Sequence, residues 1–399
     1  MLSRRDFLRS SSLVALAPTV PTFLAQTARA AAPKRDERVL VVIQLDGGND
    51  GINTVVPFAD PGYAKHRQTL RLPKERLAKI NDRVGLHSAL RDAAKLLETG
   101  RLAVVQGVGY PNPNRSHFES MAIWHSARRD PKRRDGAGWV GAALDGGKQP
   151  ADGSPASVLV GLEGTPPALR GRRCVSSALA HLDDLVLAGA TDPKKALAPP
   201  GPGGDLKAFV RRSMLDAYAT ADRLKEAAQV KDGGAYPGTG LAGKLRLVSR
   251  LLKAGFRTRV FYAIQASYDT HHAQLTAHAQ LLEELGGALK AFLDDLASAK
   301  LADRVAVLVF SEFGRTVKEN GSAGTDHGTA GPVFLAGPGV RPGLVGETPP
   351  LLDLDPRHGD LRVNIDFRRI YAAILEDWLS LPSKPALGGA FECLPLFKG

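Results

Sequence analysis

VLVVIQLDGGNDG, from Val39 to Gly51, holds the reading on which the fold turns. Its first half is an apolar, β-branched run with almost no alternation, the pattern of a strand covered on both faces. Asp46 follows directly, and Gly47 and Gly48 allow the backbone to turn sharply there. A carboxylate at the end of a buried strand suits a divalent cation, while Asp and Asn at such a place also simply shape turns. The residues allow both.

Runs of the same kind recur at wide intervals: LAVVQGVG ending at Gly109, ASVLVGL at Leu162, TRVFYAIQA at Ala266, RVAVLVFS at Ser311 and GPVFLAGPGV at Val340. Helical periodicity lies between or after them, most clearly over Leu206 to Ala228, Leu241 to Lys253, Leu275 to Ala299 and Phe367 to Leu379. Strands alternating with helices predict an α/β fold with a mostly parallel central sheet. The glycine- and proline-rich stretches 190–205 and 231–240 bracket a helix, which predicts a helical insertion at about 190–255 within a single domain spanning 31–399.

The first thirty residues belong to targeting rather than to the fold. Arg4 and Arg5, a short apolar stretch and a small-residue end stand in the order of an export signal. Ser3 to Leu8 resemble the twin-arginine pattern, and Ala28-Arg29-Ala30 its cleavage site. The resemblance implies export of a folded chain by the twin-arginine machinery to the periplasm or the outer face of the cytoplasmic membrane. Beyond Ala30 no stretch approaches the roughly 18 apolar residues of a spanning helix, so the mature protein is expected not to span a membrane.

The formal charge is +12. The basic run Arg128, Arg129, Lys132, Arg133 and Arg134 has no interleaved aromatic residues to stack on bases, which argues against nucleic acid and for a solvated loop or an attraction to anionic substrates or surfaces. Cys174 and Cys393 are the only cysteines, enough for one disulfide but not for a disulfide scaffold or a thiolate metal site.

Three further polar clusters follow predicted strands, where ligands gather in open α/β sheets. In PNRSHFESMAIWHS, Ser116 and Glu119 have the spacing of a capping box, which accounts for the serine. A helix start also favours negative charge, so the same geometry suits a nucleophile or a bound phosphate, with Arg115 able to hold an anion in a bidentate fork. Trp124 and His125, further along, read as helix-face packing. In QASYDTHHAQ, Asp269 with His271 or His272 makes a half-site for zinc, manganese or iron, or else a helix cap beside solvated histidines. From VLVFSEFGRT into GSAGTDHGTAGP come Glu312, Arg315, Asp326 and His327.

The stretches VVIQLDGGNDGINTVVPFADPGY, PNRSHFESMAIWHS, YDTHHAQ, FSEFGRT and TDHGTAGPVFLAGPGV, in this order, resemble the alkaline phosphatase-like superfamily, and in particular the exported family called domain of unknown function 1501. The resemblance runs from about Val39 to Leu379. It implies a doubly wound sheet with helices on both faces and one or two divalent metal ions (Zn, Mn, Fe or Ca) at the strand ends. By position it makes Asp46 a ligand, Ser116 the nucleophile, Asp269 and His271 (or His272) ligands of the other metal, Glu312 a further carboxylate ligand and His327 the last imidazole.

Two departures stand out. Glu312 takes the place of an aspartate and Phe313 that of a histidine, leaving one metal short of a ligand unless Asp326 joins it; the Asp269 to His271 spacing is also tighter than usual. The resemblance therefore implies a metal-dependent hydrolase, with serine favouring phosphoesters over sulfoesters. The alternative is a non-catalytic periplasmic binding or scaffold protein with a degenerate metal site.

Overall fold

The computed structural model describes residues 37–180 other than 149, 151, 153 and 175, together with residue 230 and residues 233–399. The export signal and the helix expected over Leu206 to Ala228 lie outside the described residues, as does most of the expected insertion.

The main sheet has nine strands among the described residues. In chain order they are β1 (Val39–Leu45), β2 (Leu102–Gly109), β3 (Ser157–Val160), β4 (Ser176–Leu179), β5 (Val260–Gln265), β6 (Val305–Ser311), β7 (Gly331–Ala336), β8 (Gly343–Val345) and β9 (Ile365–Asp366). Their spatial order is β8-β2-β7-β6-β1-β5-β3-β4, with β9 also on β2. β1 lies at the centre, parallel to both β5 and β6.

The α-helices of seven or more residues among those described are α1 (Arg91–Glu98), α2 (His117–Ser126), α3 (Trp139–Asp145), α4 (Gly240–Lys253), α5 (Gln274–Ser298) and α6 (Phe367–Ala373), the last continuing as a π turn over Ile374–Trp378. They cover both faces of the sheet. Val39, Val41 and Ile43 pack with Leu96 of α1, Val248 of α4 and Leu289 of α5. Leu40 and Val42 point the other way, to Trp124 of α2, Trp139 of α3 and Tyr371 of α6. Every residue of β1 is buried, as its unalternating composition requires. The fold is α/β and doubly wound, with a mostly parallel sheet.

One strand reverses. β7 runs antiparallel to both β2 and β6. The segment joining β6 to β7 therefore leaves and re-enters the sheet at one edge, the edge where β1 and β5 also end. An isolated bridge between Arg315 and His327 closes this segment on itself.

The end of the expected insertion has a core position. α4 buries Leu241, Leu245, Val248 and Leu252 against the sheet and α5, so Gly240–Lys253 is an integral layer rather than an appendage. Cys174 and Cys393 are free thiols. No helix among the described residues is long and apolar enough to cross a membrane.

Candidate metal centre

Four segments meet at the carboxyl edge of the sheet. The turn after β1 zips to the loop after β5, with Asp46 N–H donating to Gln265 O at 2.9 Å and Tyr268 N–H donating to Asp46 O at 3.0 Å. Gly47 permits this approach: its φ is +118°, and a Cβ there would lie 2.5 Å from Asp269 N. The β6–β7 segment and the start of α2 complete the edge.

Asp269 stands at the middle. Its Oδ1 lies 3.1 Å from His271 Nε2, 3.2 Å from His327 Nε2 and 3.5 Å from His117 Nε2. The Nε2 atoms of His271 and His327 are 3.0 Å apart. In each ring the other nitrogen faces an oxygen: Glu312 Oε1 at 2.8 Å for His117, Asp326 Oδ1 at 3.1 Å for His271 and the Arg115 carbonyl at 2.7 Å for His327. Carbonyls and carboxylates only accept, so each Nδ1 carries a hydrogen, and a ring that carries no second one turns an Nε2 lone pair toward Asp269.

Lone pairs and a carboxylate facing one another at these distances call for a cation between them. Two ligands of a tetrahedral zinc stand about 3.3 Å apart, close to the separations here. His117 Nε2 is moreover buried without a hydrogen-bond partner, a costly state for a polar atom. The ligand atoms of His117, Asp269 and His327 all lie within 4.8 Å of one another. Imidazoles oriented by carboxylate or carbonyl acceptors are the usual furniture of transition-metal sites. The donor set fits such an ion.

The electrostatics follow from the contacts. The hydrogen bond and charge of Glu312 raise the His117 pKa above the ordinary histidine value. Burial lowers that of His327. Burial would raise Asp269, but the Arg315 hydrogen bond and charge outweigh it and bring the carboxyl below its ordinary value. Asp46, half-buried and close to Glu312, is raised by burial and by that second carboxylate.

The structure distributes the sequence-derived residues unevenly. Asp269, His271 and His327 come together, and Asp326 orients His271. His272 faces solvent while its neighbour His271 turns inward. Glu312 is fully buried, its Oε1 accepting from Gly47 N–H and its Oε2 from Ser311 Oγ, so it orients His117 from behind. Asp46 accepts from Gln44 Nε2 at 3.0 Å and lies outside the converging group.

Ser116 is the N-cap of α2 but is exposed, and its side chain makes no capping hydrogen bond. The expected capping box does not form, because Glu119 pairs with Arg134 instead, at 2.5 Å. Arg115 Nη1 bonds the His327 carbonyl and Asp360 Oδ2. His117 is the residue that sequence reasoning missed; its signal was an imidazole at the first helical position after a strand end.

A model of the family described as Protein of unknown function (DUF1501) matches residues 37–358. A search of curated proteins gave no match. Among solved structures, the lipoteichoic acid synthase LtaP from Listeria monocytogenes is 11% identical with a TM-score of 0.34, covering 82% of this chain and 74% of that one. The PsFucS1 sulfatase from Pseudoalteromonas sp. is 10% identical with a TM-score of 0.36, covering 90% and 70%. The phosphonate monoester hydrolase of Agrobacterium radiobacter is 9% identical, also at 0.36, covering 89% and 78%. Likenesses this faint carry no weight for function.

Proposed function

The chain belongs to the family described as Protein of unknown function (DUF1501), and from that membership and the geometry of its centre we propose that it is an exported, metal-dependent hydrolase of phosphoesters, laid out like the alkaline phosphatase-like enzymes its motifs resemble. The observation that carries this is the convergence of three imidazole Nε2 atoms on Asp269 Oδ1, each ring fixed by an acceptor behind it.

His117, Asp269 and His327, with His271 beside them, would hold the ion. Imidazole favours zinc, manganese or iron over calcium. When bound, the ion supplies Lewis-acid polarisation of a phosphoryl oxygen and eases deprotonation of a nearby hydroxyl or water. Ser116, next in sequence to His117 with an exposed hydroxyl, is the nucleophile by position. The positive end of α2 favours a phosphate there. Arg115, whose side chain is 42% exposed, is the cation available to a phosphate oxygen. A serine in place of a modified cysteine favours phosphoesters over sulfoesters. Export by the twin-arginine route, and with it a periplasmic or extracytoplasmic location, is part of the same proposal.

The test is turnover of a phosphoester panel by protein loaded with Zn²⁺ or Mn²⁺. Activity abolished by chelator, restored by metal and lost in His327→Ala supports the reading. A binding or scaffold role is favoured by Phe313, whose ring fills ground beside two of the imidazoles. Metal bound without turnover on any ester would select it.

A further inference from the structure

Arg315 lies wholly buried beneath the centre. Its Nε donates to Gly48 O at 2.7 Å, its Nη1 to Thr325 O at 3.0 Å, and its Nη2 to Gly47 O, to Tyr268 O at 3.1 Å and to Asp269 Oδ1 at 2.5 Å. The guanidinium thus ties together the turn after β1, the loop after β5 and the β6–β7 segment. A guanidinium does not lose its proton in proteins, so this positive charge is permanent. It bears on the same carboxylate oxygen that the imidazoles surround.

The remaining acids leave little for a second ion. Glu312 Oε1 accepts from Gly47 N–H and faces His117 Nδ1 at 2.8 Å, and its Oε2 lies 3.0 Å from Ser311 Oγ, whose hydroxyl also reaches Leu45 O at 2.7 Å. The buried Phe313 ring sits 5.0 Å from the His117 ring and 4.9 Å from the His327 ring, placing hydrocarbon beside two of the ligands. It packs so closely on Gly48 that a Cβ there would meet it at 2.4 Å. Asp46 accepts from Gln44 Nε2 at 3.0 Å and stands outside the group formed by His117, Asp269 and His327.

We propose that the centre takes a single divalent cation and that Arg315 is the fixed second positive charge, holding Asp269 Oδ1 in place and offsetting carboxylate charge that would otherwise call for another ion. This rests on the metal-binding part of the function proposed above. With its donors engaged by the chain, Arg315 is a positioning residue and does not contact substrate.

The experiment is equilibrium dialysis of the protein against excess Mn²⁺, followed by metal analysis and electron paramagnetic resonance, with His327→Ala in parallel to identify the ion that belongs to the centre. The expected result is one such ion per chain with an uncoupled six-line spectrum. Two ions per chain with a spin-coupled spectrum, both lost in the variant, would overturn the single-ion proposal and leave the hydrolase reading standing. No ion retained, with Mn²⁺ or with Zn²⁺, would overturn both. Arg315→Lys, which keeps the charge but not the fork, is expected to bind one ion roughly 10-fold to 100-fold more weakly, the range for loss of an orienting partner. Unchanged affinity in a folded Arg315→Lys variant would remove Arg315 from the proposal.

Discussion

His117 Nδ1 lies 2.8 Å from Glu312 Oε1, and this contact turns the imidazole so that Nε2 faces Asp269. Glu312 acts on the centre through His117. Glu312→Gln keeps the shape and removes the charge that favours this ring orientation. Metal affinity, measured by competition with a coloured chelator, is expected to fall roughly 10-fold to 100-fold. Unaltered affinity would mean that the buried glutamate only fills space.

Ser116→Ala separates capping from chemistry. A capping serine typically contributes about 1 kcal/mol, but Ser116 is exposed and makes no capping bond. The change in unfolding free energy from urea titration is therefore expected to stay below about 0.5 kcal/mol. Phosphoester turnover by the same variant is expected to disappear. Full turnover in Ser116→Ala would exclude it as nucleophile.

Arg67 and Asp50 form a wholly buried ion pair at 2.6 Å under the turn after β1. Burial alone would raise the Asp50 carboxyl, but the Arg67 charge and hydrogen bond outweigh it and hold it at about 2. Arg67→Met leaves that carboxylate without its cation and is expected to cost about 3–5 kcal/mol, read as a lower urea midpoint. A loss under 1 kcal/mol would show that Asp50 finds another partner or a proton.

His125, buried beneath Gln44, is lowered by burial to about 4. The unfolded chain takes up this proton first, near the ordinary value of 6.5, so stability is retained above that pH and lost as pH falls from 6.5 toward 4. The shift amounts to about 3 kcal/mol by its lower end. His87 and His278, also lowered to about 4 by burial, add to the slope. His125→Gln removes one contribution, so the stability gap between wild type and variant should narrow as the medium is acidified. A gap independent of pH would show that His125 takes up its proton alike in the folded and unfolded chain.

The layers of the fold were legible because β1, β2, β5 and β6 are covered on both faces and write that burial into unbroken apolar runs. The direction of β7 was not, since a buried run reads alike in either sense, and its reversal is what returns Asp326 and His327 to the edge. His271 and His272 stand side by side in a loop without periodicity, flanked by positive φ at Ser267 and Ala273. Nothing local says which turns inward. The spacing of Ser116 and Glu119 matched a capping box, but Arg134, fifteen residues on, takes the carboxylate. Such a tertiary pairing is invisible to spacing. His117 was passed over for the same reason: the helix start was read for its cap, and the facing of its first residue depends on how α2 docks.

X-ray absorption at the zinc edge, on protein loaded with one equivalent of Zn²⁺, tests the proposed centre most directly. The expected spectrum shows a first shell of nitrogen and oxygen at about 2.0–2.1 Å, with the multiple scattering of at least two imidazoles that weakens in His117→Ala. A shell of oxygen alone, or one that His117→Ala leaves unchanged, would contradict the assignment of His117, Asp269 and His327 as the metal centre.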